Sequence, residues 1–351
     1  MNDVRSFREL RGAGLYEDRT MQIADMMRLD PCGAFLYTRP PGTGKTVSVS
    51  MLDAFYNRRL ADDAPSLFEG LDVSRFPQCM EYMSGYDVVR LDLDGLWADY
   101  PTYGDFLDAM RGAFARACAP FEETMLRDNY AGTAERVRKI LEGEIPEANT
   151  HTVFRDLVRT LNRSAGRMPV VLVDGLDRPV AGISDREVRD SAVRFMGAFC
   201  KATFKDEPFY MAYVTGTVRA DQCCETDVYC DLHNDSVVSD TRGRFGRISG
   251  GSEEQYDGVA ARMLRESDPS YRDSLGELIG SGTGNASFKR NLLCENLRGG
   301  DWSSLQTLLV HTGCLILEGE GEQKTVRVPD EHARDRLRSI LRMACQEKQE
   351  V

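Results

Sequence analysis

Two kinds of hydrophobic pattern alternate along the chain. Short unbroken apolar runs occur at 34–38 (AFLYT), 169–174 (PVVLVD) and 209–217 (FYMAYVTGT), and a further strand is expected at 87–92 (DVVRLD). Runs of this kind, with no polar alternation, imply burial on both faces of a sheet. Between them apolar residues recur at helical spacing. Val47, Val49, Met51, Leu52 and Phe55 mark one face between Lys45 and Asn57, and similar patterns cover about 103–128, 133–142, 152–166 and 187–203. Strands alternating with helices predict an α/β fold with a mostly parallel central sheet.

Beyond about residue 250 the pattern changes. Helices are expected at 253–267 and 270–280, followed by a Gly-Ser linker, GSGTGNAS, at 280–287. A helix near 302–312, two short strands (CLILE and TVRVP) around a Gly-Glu turn, and a last helix from about 330 to 347 complete the chain. Helices followed by a β-hairpin resemble a winged-helix module. The expected organisation is therefore an α/β domain over 1–250, a helical lid or linker over 251–285 and a winged-helix-like module over 286–351.

Composition changes this picture little. With 351 residues, 42% of them apolar and 28% charged, the chain is an ordinary globular one, long enough for two domains. A formal net charge of -12 argues against a general polyanion binder. No run approaches 18 apolar residues, and the N-terminal MNDVRSFRELRGAG lacks the apolar core of a secretory signal, so the expected location is cytoplasmic. Ten cysteines are too dilute for a disulfide scaffold. Cys118, Cys200, Cys294, Cys314 and Cys345 have apolar neighbours and read as small buried hydrophobes. Cys223, Cys224, Cys230 and His233 lack paired CxxC hooks, so free thiols are expected there rather than zinc.

Candidate chemistry concentrates at strand ends. PPGTGKT, residues 40–46, joins an apolar strand to a helix, the setting of a phosphate-binding loop. Its glycines let backbone N–H groups turn onto phosphates, Lys45 would reach the β- and γ-phosphates, and Thr46 would bind Mg²⁺. Arg39 stands where the motif has its first glycine. The candidate nucleotide contacts are Arg39, Pro41, Gly42, Thr43, Gly44, Lys45 and Thr46. PVVLVD ends on Asp174, the expected Mg²⁺ carboxylate. Gly175 follows, where many hydrolysing ATPases place a water-activating Glu. Asp177 is the nearest replacement, with a cap on the next turn as the lesser alternative. The third strand end offers Thr215 to sense the γ-phosphate, with Arg219 close behind to offset transition-state charge or to pair with Asp221 or Asp227.

These pieces, in this order, resemble the bacterial "predicted AAA-ATPase" family, which often carries a PD-(D/E)XK nuclease-like domain at its C-terminus. The resemblance rests on GLYEDRT at 14–20, FLYTRPPGTGKTVSVSMLDAFYN at 35–57, LFEGLDVS at 67–74, VVLVDGLDRPV at 170–180, YVTGTVRAD at 213–221 and the stretch 304–335. It implies an AAA-like (ASCE) P-loop NTPase with a three-layer sandwich, using ATP and Mg²⁺. It also places Tyr16, Asp18 and Thr20 where the N-terminal segment meets the base and the P-loop, with Asp18 among the nucleotide contacts. Arg39 sits where the family also tends to have arginine. Gly175 departs from the family, which usually has Glu there. DGLD at 174–177 is similar to NACHT/STAND-type NTPases, and that likeness casts Asp177 as the water-directing acid. Too few residues follow position 335 for a nuclease-like domain, so no nuclease activity is carried over.

Three functions remain in view. The first is slow Mg-dependent ATP hydrolysis coupled to conformational change. The second is a nucleotide-gated switch or scaffold that acts through residues 253–351 on a protein partner or on another copy. The third is a nucleic-acid binder, with Arg334, Arg336, Arg338 and Arg342 as the residues to test. Ten basic and ten acidic residues share 286–351, and the EGEGEQKT wing is acidic, which weighs against the third. Trp97 and Trp302 are expected to be core anchors.

Overall fold

The computed structural model describes residues 6–29, 34–128, 134–205, 207–218, 230–231, 252–289, 292, 294–297, 301–319 and 324–346. The chain divides into two compact units. One comprises Met1–Tyr37, Gly44–Gly216 and Cys223–Leu232; the other comprises Thr38–Thr43, Thr217–Gln222 and His233–Val351.

The first unit is built on a sheet of β1 (Ala34–Thr38), β2 (Val88–Asp92), β3 (Val170–Asp174), β4 (Met211–Gly216) and the two-residue β5 (Cys230–Asp231). Their spatial order is β2-β3-β4-β1-β5, and the pairs β2–β3, β3–β4 and β1–β5 are parallel. All residues of β3 and β4 are buried, as their unbroken apolar runs require. Each buried Val or Leu of such a strand contributes about 1.5–3 kcal/mol. The helix Lys45–Tyr56 packs on β3 and β4, and Tyr103–Cys118 packs on β2 and against the helices Ala134–Leu141, Val153–Ala165 and Arg186–Phe204. Aromatic contacts knit these helices: Phe106 meets Phe195 at 5.5 Å and Phe114 meets Phe199 at 5.4 Å.

Order β2-β3-β4-β1 has a consequence for function. β4 lies between β1, which feeds the PPGTGKT loop, and β3, which ends on Asp174. The C-terminal ends of these parallel strands are where an open α/β sheet gathers polar side chains.

The second unit contains the helices Ser252–Arg265, Ser270–Ser281, Trp302–His311 and Glu331–Cys345, with an antiparallel sheet of β6 (Thr283–Asn285), β7 (Ile316–Glu318) and β8 (Thr325–Arg327). The stretch expected as a linker, 280–287, is instead structured. Gly282, at φ +77°, ends the helix in the left-handed conformation, and Thr283–Asn285 pairs with β8. Backbone pairing needs no side chain, so a Gly- and Ser-rich segment can form it. Helix Ser252–Arg265 packs on Glu331–Cys345. There Asp257 accepts from Arg336 Nη2 at 2.7 Å and from Arg336 Nε at 3.0 Å. Cys118, Cys200 and Cys314 are buried as expected, and so is Cys79; Cys345 is exposed on the last helical turn, against expectation.

Candidate functional site

Residues 38–46 leave β1 and turn into a helix without a side-chain cap. Gly42 (φ +76°) and Gly44 (φ +84°) hold left-handed backbone that other residues adopt only under strain. Gly44 occupies the N-cap position of Lys45–Tyr56 and offers no side chain to the first turn. The opening N–H groups of a twelve-residue helix therefore face the site together with its positive dipole end. Thr43 Oγ1 donates to the Pro40 carbonyl at 2.8 Å and fixes the preceding bend. Thr38 and Arg39 are buried.

Asp174, at the end of β3, is 2% exposed. Its Oδ1 accepts from Thr215 Oγ1 at 2.7 Å, and the same hydroxyl accepts from the Gly175 N–H at 3.0 Å. Asp174 Oδ2 is buried with no hydrogen-bond partner. Burial raises this carboxyl's pKa, while Thr215 and the neighbouring Thr46 hydroxyl favour its charge. A buried carboxylate oxygen with no donor suits a divalent cation or its water shell, with Thr46 as the adjacent ligand. Among the described residues no three His, Cys, Asp or Glu side chains gather closely enough to hold a metal ion by themselves. A cation here would depend on Thr46, Asp174, water and a phosphate ligand.

Lys45 is half-buried in the same unit, and its ammonium lies deep enough that burial lowers its pKa from 10.5 to about 8. The charges of Asp177, Asp174 and Asp94 act in the opposite sense, and Arg178 reinforces the lowering. Such a lysine gains from meeting an anion, since phosphate would replace water that burial has removed. Asp177 is fully buried at the start of the short helix Arg178–Ala181, and its carbonyl accepts from the Ala181 N–H at 2.9 Å.

Gly175 adopts φ +76°, and a Cβ there would lie 2.7 Å from Arg178 Cγ, 3.0 Å from Asp94 Cα and 3.1 Å from Asp94 N. A glutamate at this position is excluded by backbone conformation and by space together. Sequence reasoning noted the missing Glu but overlooked Asp94. The one available signal was Asp-Leu-Asp-Gly at the end of β2. Neither expected core anchor is fully enclosed: Trp97 and Trp302 are half-buried. Trp97 stacks beneath the Arg178 guanidinium at 4.5 Å, and Trp302 lies 5.5 Å from Tyr271.

The N-terminal segment sits on other partners. Asp18 accepts from the Asp72 N–H at 2.7 Å and from the Thr20 N–H and hydroxyl at 2.9 and 2.7 Å; Thr20 in turn accepts from the Val73 N–H at 3.1 Å. Burial raises the Tyr16 phenol to about 12. In the second unit, Arg338 pairs with Glu331 and Asp335, and Arg334 bonds Glu331 and the Ile279 carbonyl. His311 Nδ1 lies 2.9 Å from the Thr217 carbonyl. Arg219, Cys223, Cys224 and His233, and the Cys230 side chain, lie outside the described residues. No helix among the described residues is long and apolar enough to cross a membrane.

Fold and strand-end site together describe a mixed α/β protein with a P-loop-like architecture. Residues 3–222, more than half of the chain, match the family described as Predicted AAA-ATPase, and the chain belongs to that family. No curated protein and no solved structure matches it.

Proposed function

We propose that the chain is a P-loop ATPase that binds Mg-ATP through residues 42–46 and turns it over slowly, using the nucleotide state to change its conformation. Asp174 Oδ2, buried without a partner beside Thr46 and in the field of Lys45, is the observation that carries this reading. Gly42 to Thr46 cradle the phosphates, Lys45 offsets their charge, and Thr46 and Asp174 hold Mg²⁺ directly or through its water. The metal supplies charge neutralisation across the phosphates. Thr215 fixes the Asp174 carboxylate and senses the γ-phosphate. Asp177 supplies a second acid acting on Lys45, Arg39 and Asp18 are assigned to nucleotide contact, and Arg219 to offsetting transition-state charge.

A three-layer sandwich accounts for the helices that cover the parallel sheet. The second unit is read as a winged-helix-like module carried behind a helical segment. Its support is the succession of Ser270–Ser281, β6, Trp302–His311 and the β7–β8 hairpin, with β8 between β6 and β7. We place its partner among proteins, or a second copy of the chain, in the cytoplasm. Arg334, Arg336 and Arg338 already engage carboxylates of the same unit, which leaves little charge for a phosphate backbone.

A nucleotide-held switch without turnover is the second reading, and the glycine geometry at 175 favours it. Calorimetry of Mg-ATP binding, together with phosphate release followed for hours, separates the two. Binding that needs Mg²⁺ and is followed by slow release is expected. Binding without release identifies the switch, and absence of binding removes the site.

A further inference from the structure

The residue that fills the space beside Gly175 is itself an acid. Asp94 follows β2, whose last residue, Asp92, stands in register with Asp174. The pairing continues past that register, since the Leu93 N–H donates to the Asp174 carbonyl at 2.9 Å. The chain then bends, with the Asp94 N–H donating to Asp92 Oδ1 at 3.1 Å, and Asp94 comes to rest where a side chain on residue 175 would begin.

Five further contacts clamp this bend to the turn after β3. Arg178 Nε lies 3.2 Å from Asp94 Oδ1 and 3.3 Å from the Asp94 carbonyl. The same guanidinium is stacked on Trp97. Gly182 comes so close that a Cβ there would lie 2.8 Å from the Ala98 carbonyl oxygen. Ser184 N–H donates to Asp99 Oδ1 at 2.7 Å. A carboxylate held this way is preorganised, at no cost when the reaction begins.

Accessibility separates Asp94 from Asp177, two of the acids whose charge acts on Lys45. Asp177 is 0% exposed, whereas the Asp94 side chain is 31% exposed and open to water. Both act electrostatically on Lys45, and Asp94 acts on Asp174 as well.

We propose that Asp94 is the carboxylate that orients the attacking water, in the place of the glutamate that Gly175 excludes, and that Asp177 serves as the counter-ion of Lys45. This rests on the ATPase reading above. In the step itself the water oxygen bonds to the γ-phosphorus as the bond from phosphorus to the β–γ bridging oxygen breaks. ADP departs with that electron pair, and the water proton passes through Asp94 to the phosphate product or to solvent. Arg178 is a positioning residue that acts through Asp94.

Mg-ATP binding and phosphate release are measured side by side for the wild type, Asp94→Asn and Asp177→Asn. Asp94→Asn is expected to slow release at least about 100-fold with affinity changed by less than about threefold, the signature of a lost general base. Asp177→Asn, which strips Lys45 of its counter-ion, is expected to weaken Mg-ATP binding more than it slows release by the bound enzyme. Release by Asp94→Asn within about tenfold of wild type overturns the proposal. So does a loss in Asp177→Asn as large as that in Asp94→Asn. Should Asp94→Asn not fold, Asp94→Ala decides: turnover restored by added formate supports the assignment, and turnover that formate leaves absent overturns it. A wild type that binds no Mg-ATP takes away the ATPase reading as well, whereas a wild type that binds but never releases phosphate overturns this inference and leaves the nucleotide site standing.

Discussion

Among the described residues, two of the places that bury charge treat it in opposite ways. In the second unit Arg336 and Asp257 are matched atom for atom: both Asp257 oxygens accept from the guanidinium, whose remaining arm donates to the Thr312 carbonyl at 3.0 Å. Burial opposes the Arg336 charge, yet Cys314, Asp257 and Glu253 outweigh it and hold the group more firmly protonated than usual. At the end of β3 the accounts are left open. Asp174 has one oxygen bonded and one without a partner, its pKa is raised by burial, and Lys45 is drawn down to about 8. Satisfied buried charge is architecture, whereas unsatisfied buried charge is held ready for something that arrives later.

Breaking the satisfied pair should give the largest effect. Asp257→Ala leaves the buried Arg336 with only the Thr312 carbonyl and Glu253 at 3.7 Å, and we expect a loss of about 3–5 kcal/mol in denaturant unfolding. Replacing both residues by apolar ones of similar volume should cost far less. If the single variant loses under about 1 kcal/mol, solvent reaches the pair and the contrast between the two regions fails.

Gly175→Glu comes next. A left-handed backbone and a Cβ inside Arg178 and Asp94 together should cost about 2–4 kcal/mol, read from the unfolding midpoint. A variant as stable as wild type with faster phosphate release would show that the family's usual acid fits after all.

Lys45 sharpens the comparison through pH, with two opposite signs. Its folded pKa lies below its unfolded value, so between about 8 and 10.5 the unfolded chain holds the proton more tightly, and stability of the empty protein rises with pH. Phosphate needs the charged form, so Mg-ATP affinity should fall above about pH 8, no more steeply than about tenfold per unit. Binding near pH 9 should take up protons, which calorimetry in buffers of different ionisation enthalpy detects. Affinity flat from pH 7 to 10 would remove Lys45 from phosphate binding.

The legible parts of this site were those written contiguously. Residues 40–46 and the unbroken run ending on Asp174 announce a loop and a buried strand, and the strand register then brings Thr215 onto Asp174. Asp94 was hard to read because Asp-Leu-Asp-Gly signals a bend after β2 but not what the bend meets, which depends on the positive φ of Gly175. The segment 280–287 misled for a related reason: composition reports side chains, whereas β6 is held by its backbone. Cys345 misled in the opposite sense, because apolar neighbours in sequence lie on a different face of the last helix turn.

The smallest expected effect bears most directly on the central claim that Asp174 is left incomplete for a ligand. Thermal unfolding of wild type and Asp174→Asn is measured with and without Mg-ATP. Removing a buried charge while keeping an acceptor for Thr215 should stabilise the empty protein by about 1 kcal/mol, a rise of a few degrees. The same variant should forfeit most of the stabilisation that Mg-ATP gives the wild type, about 2.7 kcal/mol at a hundredfold excess over Kd. A variant that is less stable when empty, yet gains as much from Mg-ATP as the wild type, would contradict the account.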